Sequence, residues 1–385
     1  MASSRLPALL TASNRGRVCR CWSCAIRVSA SWHCASPEVT LRSICIVRLS
    51  ALGDVTHVIP VVKSLQAQVP DVQITWVIGR LEAKLLGDLP GVEFIVHDKR
   101  SGLSGLVALR RRLRGHRFDA LLHMQVSLRA NLVAAMVPAR IRVGYDRARS
   151  KDLHGLVVNR RIPARRREHV RDGLASFLEP LGLDPAPPVW EIPLQVADYG
   201  LARAHLAADR PNLVISPCSS HPLRNWITDR YAALADYAAH HYGANVVLVG
   251  SPSTTERRIC EAIESLAQMP VVNICGQDTL KQLAALLESA DLLISPDTGP
   301  AHIANAVGTD VLGLYAASNP ARSGPYHSLR WCVDRYPEAL ERFTGKTVDT
   351  ARWGAKAEFA GAMAMISFDD ARERLDAWMD QSGVV

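Results

Sequence analysis

A chain of 385 residues exceeds the roughly 250–300 at which a single core stops growing, and it suits two domains. Its composition, 48% hydrophobic and 21% charged, excludes disorder, collagen and coiled coil. No apolar run approaches the ~18 residues that a membrane span needs, so the chain reads as soluble.

The net charge of +8 is unevenly placed. Arginines gather at 110, 111, 112, 114 and 117, and again at 160, 161, 165, 166 and 167, all in the first half. Such density is either a solvated face or the footprint of an anionic partner. Aromatic residues do not interleave with these arginines, which argues against nucleic acid.

In chain order, residues 1–40 form an Arg/Ser-rich leader with no periodic apolar face, expected to lie outside the fold or to come from an early start. Four cysteines fall there, Cys19, Cys21, Cys24 and Cys34. Without a second folded hook they make a poor zinc site. The other five cysteines are scattered singly, as in a reducing compartment.

From Leu41 apolar runs alternate with helical periodicity. Strands are expected at 43–49, 72–78, 92–97, 118–123 and 141–144, with helices at 55–68, 81–88, 102–114 and 127–137. The run Asp184–Trp190 (DPAPPVW) breaks the rhythm. Residues 191–210 are taken as the link, 41–190 as the first domain and 211–385 as the second. Strands then recur at 213–216, 245–249, 271–274, 292–295 and 311–315, with helices at 229–241, 254–268, 279–289, 300–307 and 368–379. This alternation predicts an α/β protein of two doubly wound, Rossmann-like domains facing across a cleft.

Three loops after strands carry polar groups. In Ser50–His57 (SALGDVTH), Asp54 is either a helix cap or a general base, and His57 is the rival base. In Ser295–His302 (SPDTGPAH), Asp297 and Thr298 can cap, Gly299 admits a ligand to the backbone and Pro300 suits a first turn. With His302 this makes an anion cradle fit for a diphosphate. In Ser216–Trp226, Arg224 is a candidate phosphate ligand, while Trp226 is expected to pack beneath the loop. The chain has no G-x-G-x-x-G after either first strand, no P-loop and no nucleophile elbow, which disfavours dehydrogenases, P-loop kinases and α/β-hydrolases. It also has no D-x-D, so no metal and no cofactor is expected.

Together IVRLSALGDVTHVIP, SPDTGPAHIANAVG and NPARSGPY resemble glycosyltransferase family 9, the ADP-heptose:lipopolysaccharide heptosyltransferases, from about Leu41 to the C-terminus. The resemblance implies a GT-B fold and inverting transfer of heptose from ADP-L-glycero-D-manno-heptose to the Kdo/heptose inner core. It implies Asp54 as base, with Arg224, Asp297, Thr298, Gly299 and His302 on the donor. Gln125 and Arg129 match a family pattern on the acceptor side, where His123 replaces a frequent Asp. The basic residues Arg110, Arg111 and Arg112 would suit an acceptor bearing lipid A phosphates and Kdo carboxylates. The implied place of work is the cytoplasmic face of the inner membrane, as a peripheral protein. Glu256 is the nearest acidic residue to the position expected to grip the ribose. A different sugar-nucleotide enzyme, an epimerase, or a non-catalytic binder of sugar nucleotide or lipid remain as alternatives; Asp54 favours catalysis.

Overall fold

The computed structural model describes residues 41–383. The leader and its four cysteines lie outside the described residues.

The first sheet is built from β1 (Ser43–Val47), β2 (Gln73–Gly79), β3 (Val92–His97), β4 (Phe118–His123), β5 (Ala139–Gly144) and the two-residue β6 (Arg160–Arg161). All strands run parallel, in the order β3-β2-β1-β4-β5-β6. Ile44–Val47 and Ile74–Ile78 are buried on both faces, as expected of strands covered by helices on each side. The covering helices are α1 (Leu52–Thr56), α2 (Ile59–Gln68), α3 (Ala83–Leu86), α4 (Gly102–Arg112), α5 (Leu128–Met136) and α6 (Val170–Ala175). Residues 55–68, expected as one helix, are broken after Thr56. Pro60 takes the first turn of α2, where its missing N–H costs nothing.

Residues 191–210, expected only to link, carry a 3-10 turn and α7 (Gly200–His205). The second sheet follows with β7 (Asn212–Ile215), β8 (Asn245–Leu248), β9 (Val272–Asn273), β10 (Leu292–Pro296), β11 (Asp310–Tyr315) and β12 (Val333–Asp334), ordered β12-β11-β10-β7-β8-β9 and again parallel. Its helices are α8 (Thr228–Tyr242), α9 (Thr254–Leu266), α10 (Leu280–Glu288), α11 (Gly299–Val307), α12 (Pro320–Ser323), α13 (Tyr336–Thr344) and α14 (Phe368–Ser382). Tyr231, Trp331, Tyr336 and Trp378 fill this core, each contributing about 1.5–3 kcal/mol by burial. Trp226 packs under its loop as expected, with Nε1 donating to the Ile366 carbonyl at 2.9 Å.

Both sheets reverse direction at the strand that starts them, between β1 and β4 and between β7 and β10. Ligands of open α/β sheets bind at the carboxyl ends of strands flanking such a reversal. The segments that follow β1, β4, β7 and β10 carry Asp54 (in the first turn of α1), Gln125, Arg224 and Asp297 respectively. The fold therefore brings the polar loops to two crevices.

Those crevices meet. Helix α1 packs against α11, and two glycines allow the approach. A Cβ on Gly53 would stand 2.3 Å from His302 Cδ2, and one on Gly299 would stand 3.3 Å from Leu52. His169 faces the Gly324 carbonyl at 3.0 Å, Trp353 Nε1 donates to the Glu168 carbonyl at 2.7 Å, and Tyr326 donates to Asp172 at 3.0 Å. Trp190, in the Pro-rich break, donates to the Thr56 carbonyl at 3.0 Å.

Candidate active site

A cleft of 1340 Å³ lies between the halves. Asp54 lines it from the first turn of α1, where its carboxylate accepts the Ala51 N–H at 3.1 Å and pairs with Arg48 at 2.5 Å. Burial pushes this acid up, but the Arg48 guanidinium and the Ala51 N–H outweigh it, and the carboxyl lies below the ordinary range. It is ionised at neutral pH, as a base must be. Tyr145 lines the same wall, with its hydroxyl 3.3 Å from the Met124 carbonyl.

His57, the rival base, points away from solvent. Its ring is buried with neither nitrogen partnered among the described residues, and it meets His302 and His169 edge-on at 4.9 and 5.6 Å. Burial, then His302 and His169, push its pKa well down. A neutral ring sealed in this way is packing.

Asp297 lies just beyond β10, behind Lys356, which lines the cleft; Asp297 itself is not among the lining residues. Arg224 approaches it at 3.6 Å, Lys356 at 3.2 Å and His302 at 3.8 Å. Burial alone would raise this acid; His302, Lys356 and Arg224 hold it well below the carboxylate range. Arg224 is itself fixed by Glu358, at 2.7 Å from Nε and 2.6 Å from Nη2. Thr298 caps α11 by accepting the Ala301 N–H, and it bonds Ser295 at 2.7 Å. The helix thus opens with its positive end at this cluster.

The expected donor residues Arg224, Asp297, Thr298, Gly299 and His302 therefore form one cluster, beside Asp54 through the Gly53–His302 contact; none of the five lines the cleft, which the cluster meets through Lys356. Gln125 is fixed next to the Asp54 loop, accepting the Leu49 N–H at 2.7 Å and donating to Ser50 at 3.2 Å. Arg129 is exposed on α5, and Arg110, Arg111 and Arg112 are exposed on α4; none of the four lines the cleft. The lining arginines of the first half are Arg48, Arg149, Arg165, Arg166 and Arg167, the last three from the second cluster in the sequence.

Sequence reading also missed Arg48, Arg322, Lys356 and Glu358. Lys356 and Arg322 face the cleft from the second half. Burial, with Arg224 nearby, draws the Lys356 ammonium below the usual lysine range against the pull of Asp297. Gly354 lies close under Arg322, a Cβ there falling 3.3 Å from Nε. No periodicity marks residues 345–358, so only folding reveals their place. Glu256, the ribose candidate, turns its carboxylate back onto Ser251, accepting both its N–H at 2.7 Å and its hydroxyl at 2.6 Å.

His123, standing where the resemblance leads one to expect Asp, is structural. It bonds the side-chain Oδ1 of Asn131 at 2.7 Å, which His154 Nδ1 also contacts at 3.2 Å, while His154 Nε2 accepts the Tyr145 N–H. Burial pushes His123 down to about 3 and His154 to about 4.

Residues 106–347 match the family model described as glycosyltransferase family 9 (heptosyltransferase). The chain is 39% identical over 328 residues to the lipopolysaccharide core heptosyltransferase OpsX of Haemophilus influenzae, covering 85% of this chain and 94% of that one. Among solved structures, a family 9 glycosyltransferase from Veillonella parvula superposes with a TM-score of 0.71 at 22% identity, covering 88% and 99% of the two chains. Escherichia coli heptosyltransferase WaaC with ADP-2-deoxy-2-fluoro heptose does so with a TM-score of 0.58 at 21% identity, covering 72% and 90%. These neighbours share the paired Rossmann-like, GT-B arrangement. The chain belongs to glycosyltransferase family 9 and is a glycosyltransferase.

Proposed function

We propose that the protein transfers heptose from ADP-heptose to the Kdo/heptose inner core of lipopolysaccharide, with inversion, at the cytoplasmic face of the inner membrane. The observation that carries this reading is an ionised, arginine-held Asp54 on the cleft, next to a cationic group built around a capped helix N-terminus that reaches the same cleft through Lys356. The curated relative named for core heptosyl transfer supports the reaction class, and the solved relative holding a fluorinated ADP-heptose supports the donor.

Residues 41–190 take the acceptor and 211–385 the donor. An acceptor hydroxyl attacks the anomeric carbon as its proton passes to Asp54. The bond from that carbon to the β-phosphate oxygen breaks, and its electron pair leaves with ADP. Charge growing on the diphosphate is met by Arg322, Lys356, Arg224 and the opening turn of α11. Asp297 keeps Arg224 and Lys356, together with His302, in register, so little reorganisation accompanies the transfer. Arg149, Arg165, Arg166 and Arg167 receive the carboxylates and phosphates of the acceptor.

Incubation with ADP-heptose and truncated core acceptors, read by product mass, tests the proposal. A gain of one heptose on a Kdo-bearing or heptose-bearing acceptor is expected. Turnover of another sugar nucleotide in preference to ADP-heptose, or of none, defeats it.

A further inference from the structure

Three consecutive connections of the first sheet step across it in one direction: β3 to β4 through α4, β4 to β5 through α5, and β5 to β6 through residues 145–159. Right-handed crossovers place connections that step the same way on one face. The face is contiguous: α4 packs beside α5, and the Asn131 amide on α5 donates to the Asp152 carbonyl in the next connection.

This face exposes large apolar side chains. Leu103 and Val107 stand one turn apart on α4, Leu128 and Leu132 one turn apart on α5, and Leu153 and Leu156 follow in the β5–β6 connection. Leu103, Leu153 and Leu156 are 82%, 69% and 80% exposed. Single exposed leucines are ordinary, whereas a group on three adjoining elements marks an interaction surface. The connection from β1 to β2 steps the other way, and there α2 buries Ile59, Val61, Val62 and Leu65.

The charge beside the patch is mostly positive, with Asp152, exposed next to Leu153 and preceded by Lys151, as the exception. Between Lys99 and Arg117 the chain has no Asp or Glu, and α4 ends in Arg110, Arg111 and Arg112. Between Ala120 and Tyr145 there is again no acidic residue, and Arg129 is exposed there. The patch also reaches the cleft, since Val126 before α5 and Lys151 before Leu153 line it.

We propose that the α4–α5 face is a docking surface for an anionic lipid bilayer. Its leucines enter the headgroup region and its arginines meet lipid phosphates, so that an acyl-anchored acceptor reaches the cleft from the flank. The inference rests on the lipopolysaccharide reading above. It gives Arg110, Arg111 and Arg112 a partner, although they do not line the cleft.

Flotation of the full chain with vesicles of phosphatidylcholine, alone or mixed with phosphatidylglycerol, tests it. Binding to the anionic vesicles should be at least tenfold tighter and weaken with salt, since each basic residue near such a surface contributes about fivefold. Replacing Arg110, Arg111 and Arg112 together by Gln should remove that preference. The pair Leu103→Ser and Leu132→Ser should weaken binding fivefold or more, and lower turnover on vesicle-embedded acceptor while sparing turnover on a delipidated, water-soluble one. Unchanged vesicle binding in these variants overturns the proposal, as does a wild-type dimer that the leucine substitutions dissolve, which would make the patch a self-association interface. Absence of turnover with every core acceptor defeats the heptosyl-transfer reading instead, and vesicle binding is scored independently of it.

Discussion

The two walls of the cleft hold their charges in different ways. On the second-half side Lys356, which lines the cleft, converges with Arg224 and His302 on one largely covered carboxylate, Asp297, and Glu358 braces Arg224 from behind. On the first-half wall Arg149 is braced by Asp146 and Glu168, but at the solvent-exposed rim Arg165 pairs with Glu179, and Arg167 with Asp349 of the second half. Buried networks keep their geometry because an unpaired member is costly, whereas exposed pairs contribute little and exchange readily. The difference fits the two substrates proposed. A diphosphate leaving group needs fixed partners, and a large polyanionic acceptor needs adaptable ones.

Asp54→Asn should produce the largest effect, a fall in kcat of about 10²–10⁴, with ADP-heptose affinity kept within a few-fold. Calorimetry with the donor beside a turnover assay separates the two. Near-normal turnover would return the role to another group. Arg224→Ala should follow, raising donor KM and lowering kcat together by about tenfold or more, because the leaving group gains charge in the transition state. Arg165→Ala, Arg166→Ala and Arg167→Ala should each raise only the acceptor KM, by about two- to five-fold at low salt and less at high salt. A loss of kcat in these rim variants equal to that of Arg224→Ala would erase the contrast between the walls.

Arg48→Gln sharpens the comparison through pH. Arg48 holds Asp54 below the usual carboxylate range, so its loss should move the acid limb of kcat/KM to higher pH. A profile that stays in place would separate Arg48 from the base. The smallest effect at neutral pH is on stability. His123, His154 and His169 are held neutral, with pKa values pushed from 6.5 to about 3, 4 and 4, chiefly by burial. Folding is thus favoured by their neutral forms above pH 6.5, and that stability is lost as the pH falls toward 4. Urea midpoints should decline across this window, and the decline should flatten in His123→Asn.

The alternation of strands and helices was readable because buried parallel strands leave uninterrupted apolar runs, as at 44–47 and 292–294. Asp54 and the Ser295–His302 loop were readable because each lies within a few residues of a strand end. What escaped depends on long-range packing. Lys356 reaches Asp297 across 59 residues of sequence, and nothing local in 345–358 marks that meeting. Charge counting found both arginine clusters yet could not say which faces the cleft; the register of α4 turns Arg110–Arg112 outward, and residues 165–167 occupy the lining instead. His57 looked as available as Asp54 in sequence, and only the packing of three histidine rings at the α1–α11 contact removes it.

The central claim is a single displacement, with the base on one wall and the leaving group on the other. Its most direct test is the anomeric configuration of the product, read from one-bond carbon–proton coupling after transfer from ADP-heptose of known configuration. The account predicts inversion at that carbon. Retention would require a covalent glycosyl intermediate or attack from the leaving-group face, and would contradict it.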